Sequence, residues 1–186
     1  MPMLLEDLAE ETSASNRRAA DRLDAEARSL GELRGAATAT DELRQKAVES
    51  ARQATDFALS RVVLAEGVWH STLAALCKGP QGEHAERLLR SSLNVFESYR
   101  QFLRSVRALW EIAMQAGASA ERLGELDQAE ECVGKLSREA SVALEHRAGG
   151  WQPADPARLA DGLRLAREGK TVKADEARGW FRQAKG

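Results

Sequence analysis

The sequence has few of the residues that usually build a catalytic or metal site. Its 186 residues include three histidines and two cysteines, and none of them forms a closely spaced metal-binding motif. The clearest turn, Gly79-Pro80-Gln81-Gly82, is not followed by the Lys-Ser/Thr pair of a phosphate-binding loop. We therefore expect a protein that is not an enzyme, with no catalytic residue and no cofactor.

Proline and aromatic residues are scarce as well. Only four prolines interrupt the chain, which permits long helices, and aromatics make up 5% of the residues, so the core should consist mainly of Leu, Ala and Val. A net charge of −2 does not favour nucleic acid as a partner. The amino terminus does not resemble a signal peptide. The most apolar stretch, residues 57–77, contains Arg61, Glu66 and His70, so we expect no membrane span.

The two cysteines, Cys77 and Cys132, lie 55 residues apart in the sequence. We expect both to be small core residues of a cytoplasmic protein. The alternative is a disulfide that joins two neighbouring helices.

A heptad pattern dominates residues 86–116. Apolar or small residues recur at alternating steps of three and four, and a third apolar position widens this face beyond a two-stranded coiled-coil seam. Charged residues occupy the opposite positions, including Arg90, Glu97 and Arg104. This stretch should be the central helix, with its apolar face in the core. The face consists of Leu89, Ser92, Phe96, Tyr99, Leu103, Val106, Trp110 and Ala113, flanked by Leu88, Val95, Phe102 and Leu109.

Three more long helices are predicted, over residues 3–34, 41–77 and 120–148. In the first, the polar residues 10–18 indicate a solvent-washed segment or a break. In the second, residues 57–77 are apolar nearly all round and should be the most enclosed part. Gly117 should end the central helix, and Ser119 should cap the fourth. The fold class is therefore all-α: residues 1–150 form an antiparallel bundle of four long helices.

The remaining residues, 151–186, differ in composition. Gly149 and Gly150 precede them, and they carry eight Lys/Arg against five Asp/Glu, whereas the rest of the chain carries 19 against 24. The pattern predicts a helical hairpin whose apolar residues dock on a partner protein. The candidate docking residues are Trp151, Leu159, Leu163, Val172, Trp180 and Phe181.

Within this segment, one pattern resembles the toxin-docking tail of bacterial addiction-module antitoxins. It runs from Asp155-Pro156 through Gly169-Lys170-Thr171-Val172 to Asp175-Glu176-Ala177. In that family a short helix ends at a Gly-(Lys/Arg)-x-Val step, and an acidic helix start follows. Lys173 stands where the family usually has Ser or Thr, and residues 1–150 contain no counterpart of the antitoxin DNA-binding fold. The resemblance implies a helical tail that binds a protein.

Three functions follow as hypotheses. The first is a non-enzymatic interaction or assembly protein, a scaffold or adaptor, that binds another protein or itself as a homo-oligomer. The second is an antitoxin-like regulator that neutralises a partner protein. The third is a metal-binding bundle that uses Glu66 and His70, which share one helix face. The competing interpretation of that pair is a hydrogen-bonded couple that faces Arg61.

Overall fold

The computed structural model describes residues 5–36, 41–76, 83–120, 122–145, 151–153 and 181–183. Four long helices account for most of them. They are α1 (Leu5–Ala36), α2 (Asp41–Leu76), α3 (Glu83–Gln115) and α4 (Leu123–Glu145), and the short strands β1 (Trp151–Pro153) and β2 (Phe181–Gln183) follow. The prediction of an all-α helical bundle is confirmed for these four helices.

Contacts between side chains show how the helices run. Arg61 of α2 meets Asn16 of α1, while Ser50, earlier in α2, meets Glu26, later in α1. Helices α1 and α2 are therefore antiparallel. The same reversed order holds between α2 and α3 and between α3 and α4, where Arg107 meets Asp127 and Arg100 approaches Gly134. Helix α3 packs against the other three. Helices α2 and α3 thus form a central pair, with α1 on one side and α4 on the other.

The heptad interpretation of α3 is confirmed. All twelve predicted core positions are buried, while Arg90, Glu97 and Arg104 are exposed. The serines Ser98 and Ser105 are buried too, which the apolar pattern did not predict. Their small side chains lie on a third side of α3, and Asn16 of α1 donates a hydrogen bond to Ser98 Oγ over 3.1 Å.

That hydrogen bond also corrects the prediction for α1. The helix runs without a break through residues 10–18, and Ser13 and Asn16 of that polar stretch are buried. Their polar groups are used inside the fold: Ser13 donates to the Ala9 carbonyl, and Asn16 bonds to both neighbouring helices. A buried polar group is tolerated when it is hydrogen-bonded, so one side of this stretch is polar and buried, while Glu10, Glu11, Arg17 and Arg18 are exposed.

The turn between α3 and α4 confirms one predicted boundary and corrects another. Gly117 has a φ of 89°, and the amides of Ala118 and Gly117 bond to the carbonyls of Ala113 and Met114, which is the Schellman motif. Ser119 does not begin α4 as predicted. The helix begins at Leu123, and Arg122, with a φ of 66°, provides the carbonyl that accepts the first bonds of the helix.

The carboxyl-terminal prediction is corrected where the structure describes it. Strands β1 and β2 pair antiparallel, with Trp151 opposite Gln183 and Pro153 opposite Phe181. Phe181 thus lies in a strand, whereas a helix was expected there. The pairing joins the two ends of the proposed docking segment. Residues 154–180, where the rest of the helical hairpin was predicted, lie outside the described residues.

Candidate protein-interaction site

The outer face of α2 carries large apolar side chains that water reaches. Phe57, Val63 and Leu64 are 43%, 63% and 51% exposed. At 100° per residue these three lie within one third of the helix circumference, together with the exposed small residues Ser60, Gly67 and Ser71. We call these six residues the α2 strip. The prediction that this half of α2 is the most enclosed part of the bundle is therefore wrong.

The α2 strip has the composition of an interface centre. None of its six residues is charged, and depletion of charge with retention of aromatic and aliphatic groups marks the buried centre of protein interfaces. It spans about 21 Å along the helix. Gly67 in its middle has open space around it: a Cβ there would meet no atom within 4 Å. Gly67 therefore lies on the outer side of α2, and no neighbouring helix of the described residues packs against it.

Hydropathy alone could not separate the strip from the core. The inner face of α2, which includes Ala51, Thr55, Ala58 and Trp69, is buried. Val63 and Leu64 are as apolar as core residues, so the sequence pattern assigns them to a core as well. The signal that could have identified the strip is its small residues, because Ser60, Gly67 and Ser71 would leave holes in a packed core.

The predicted docking residues fall largely outside the described part of the chain. Trp151 lies in β1 and Phe181 in β2, and the strand pairing brings their backbones close together. Leu159, Leu163, Val172 and Trp180 lie outside the described residues. The strand pairing therefore places residues 151–153, at the start of the proposed docking segment, beside residues 181–183, near its end.

On the other side of α2, Glu66 contacts α4. The Cys132 thiol donates to Glu66 Oε1 over 3.2 Å. Burial, together with this hydrogen bond and the Glu66 charge, raises the pKa of Cys132 to about 12. A thiol that stays protonated is a poor nucleophile. Cys132 is a free, half-buried cysteine, as expected for a structural residue, and Cys77 lies outside the described residues.

The proposed metal pair gains no further ligand from this arrangement. Burial lowers the pKa of His70, while the neighbouring Glu66 charge opposes this shift. Within the described ranges, no group of three or more His, Cys, Asp and Glu side chains is placed to hold a metal ion. Arg61 does not face this pair as expected, because its side chain crosses to Asn16 and Ser15 of α1.

An aromatic residue and a carboxylate complete the contact between α2 and α4. The Trp69 indole donates to Glu139 Oε2 over 3.0 Å, and both residues are buried. The Trp69 ring also meets Phe96 edge-on, with ring centroids 6.2 Å apart. These contacts hold the inner face of α2 against α3 and α4, so the α2 strip is presented on a well-supported helix.

Taken together, the fold and this surface define a helical bundle with an apolar, uncharged strip on one of its central helices. Known protein families, curated proteins and solved structures contain no significant match to the chain. Over the described part of the chain, no helix is long and apolar enough to cross a membrane.

Proposed function

We propose that the protein is a non-enzymatic interaction or assembly protein whose α2 strip binds another protein or a second copy of this chain. The observation that carries the proposal is the exposure of Phe57, Val63 and Leu64 on one uncharged face. Exposing these side chains to water is unfavourable by about 25 cal/mol for each Å² of apolar surface, and a docked partner would recover that free energy.

The shape of the strip favours a helix as the occupant. Small residues at Ser60, Gly67 and Ser71 leave a shallow groove between the larger side chains, and an apolar helix packs its ridges into such grooves. A partner helix of about 14 residues would cover the length of the strip.

Two matched substitutions test this function. Gly67 and Gly31 are both exposed helical glycines with open space where a Cβ would lie, but only Gly67 belongs to the strip. We expect Gly67→Arg to keep the fold and to abolish binding, whereas Gly31→Arg keeps both. Self-association is measured by sedimentation velocity over a concentration series. Binding to other proteins is measured by affinity capture from the source cells, with cross-links mapped onto α2.

The two variants are then compared. Loss of self-association, or of cross-links to residues 57–71, in Gly67→Arg alone supports the proposal. If both variants assemble and cross-link like the unmodified protein, the α2 strip is not the binding surface. Circular dichroism of both variants checks that their helices are retained.

The antitoxin-like alternative places docking in residues 151–186 instead. It belongs to the same class, since the tail would bind a protein, and the resemblance of that segment supports it. Replacing Trp180 and Phe181 by Ala in the full chain would then abolish capture of the partner, while Gly67→Arg would not. The opposite pattern of effects favours the α2 strip.

A further inference from the structure

A cavity of about 250 Å³ opens between α1 and α2, with its floor on α3. Its walls combine positive charge and aromatic surface. The residues that matter for its chemistry are Arg18, Arg22, Arg61, Ser15, Phe57 and Phe102. The two phenylalanine rings meet edge-on, with centroids 5.6 Å apart and planes at 84°, and form an apolar wall that spans α2 and α3.

The Arg61 guanidinium is held in place by neutral groups only. Its two terminal nitrogens donate to Asn16 Oδ1 over 2.7 Å and to Ser15 Oγ over 2.8 Å. Its central carbon lies 4.3 Å from the centroid of the Phe57 ring. The Nε–H is buried and has no hydrogen-bond partner among the residues that the structure describes. The cation is therefore positioned at one wall of the cavity, and no carboxylate of the described helices forms an ion pair with it.

The other two arginines share this lack of a counter-charge. Within the part of the chain that the structure describes, neither Arg18 nor Arg22 forms an ion pair, and Arg61 forms none either. By contrast, Arg107 and Arg122 each contact two carboxylates. Burial and the nearby Arg18 charge both lower the pKa of Arg61. Partly burying a cation next to a like charge costs free energy, and an anion between them would offset that cost.

We propose that this cavity binds a carboxylate carried on a small apolar group. Arg18 and Arg22 are exposed, so their side chains can reorient and donate hydrogen bonds to the carboxylate. Arg61, which is held in place, adds to the positive potential of the cavity. The apolar group would lie against Phe57 and Phe102. The cavity volume suits a ligand about the size of one aromatic acid. The carboxylate comes either from a free small molecule or from an acidic side chain of a bound protein. The cavity shares Phe57 with the α2 strip, but its three arginines lie outside the strip.

The test titrates the ¹⁵N-labelled full chain with sodium benzoate and follows the amide resonances by NMR. Benzamide, which has the same shape without the charge, is titrated in parallel at matched ionic strength. We expect benzoate to shift the resonances of residues around Ser15 and Arg61, and benzamide to leave them unchanged. The double variant Arg18→Gln/Arg22→Gln should raise the dissociation constant about tenfold or more, because it removes the two charged donors. Arg28→Gln, on the same helix but outside the cavity, is the control.

A second titration with a hexaglutamate peptide separates the two sources. Saturable binding of benzoate that depends on Arg18 and Arg22 indicates a free carboxylate ligand. Binding of the peptide alone, with the same dependence, indicates an acidic side chain. If benzamide is as effective as benzoate, or if the double variant binds both probes like the unmodified protein, the proposal is overturned.

Discussion

The indole Nε1 of Trp110 donates to Thr55 Oγ1 over 3.0 Å, in the centre of the bundle. Both residues are fully buried, and the Thr55 hydroxyl in turn donates to the Ala51 carbonyl over 2.7 Å. The Thr55 hydroxyl therefore accepts one hydrogen bond from Trp110 of the neighbouring helix and donates another to Ala51 of its own helix.

Replacing that threonine gives the first prediction. Thr55→Val keeps the volume but leaves the Trp110 N–H unpaired in the core, so it should lower the free energy of unfolding by about 1–3 kcal/mol. Chemical denaturation measures the loss. In NMR spectra the Trp110 indole proton should move while that of Trp69, which bonds to Glu139, stays in place. An unchanged Trp110 proton would contradict the assignment of this bond.

The second prediction contrasts two leucines. Leu103 is 1% exposed, so Leu103→Ala should lower the free energy of unfolding by about 2–5 kcal/mol through lost burial and a residual cavity. Leu64 is half exposed, so Leu64→Ala should change it by less than about 0.5 kcal/mol. Urea unfolding of the two variants measures both values. Equal losses would mean that Leu64 is covered in the isolated chain.

The third prediction concerns the backbone at the start of α4. Arg122 has a φ of 66°, a conformation that a residue with a Cβ adopts at a cost. Both Arg122→Gly and Arg122→Ala remove its bonds to Glu125 and Asp56, but only glycine relieves the backbone. The glycine variant should therefore be more stable than the alanine variant by about 1 kcal/mol. Thermal melts compare them, and equal midpoints would show that α4 can start without this conformation.

The fourth prediction is a pH dependence. Burial holds the pKa of His70 below its ordinary value of 6.5. As the pH falls below 6.5, the unfolded chain binds a proton that the folded chain resists, so the free energy of unfolding should decrease. His70→Gln should make this dependence shallower, because the variant has no imidazole at this position to take up the proton. Denaturation between about pH 5 and pH 8 tests it, and parallel curves for the two proteins would exclude this role of His70.

The fold was largely predictable because its central helix has a single consistent pattern. Phe96, Leu103 and Trp110 recur at heptad spacing with charges opposite them, and helical geometry alone then decides which side is buried. The buried residues of α2 and α4 also recur at helical spacing, as in Ala51, Thr55 and Ala58 of α2 and Leu126, Ala129 and Val133 of α4.

The candidate sites were less predictable because they depend on distances between helices. Arg61 precedes Glu66 and His70 on the same helix by five and nine residues, but its long side chain reaches α1 instead. Likewise, Val63 is exposed because no helix of the described residues covers it. A valine is equally apolar whether it is covered or exposed, so its hydropathy does not predict which occurs. Such relationships belong to the tertiary structure, so residue spacing along one helix does not contain them.

The parallel contact of α1 with α3 has a consequence for synthesis of the chain. Asn16 and Ser98 are 82 residues apart, so α1 leaves the ribosome long before the helix that covers it. At typical elongation rates that interval lasts roughly 4–16 s. Until α3 is synthesised, the inner face of α1 has no partner. Ser13 and Asn16 make that face less apolar than one built of leucines, and a less apolar face has a lower tendency to aggregate.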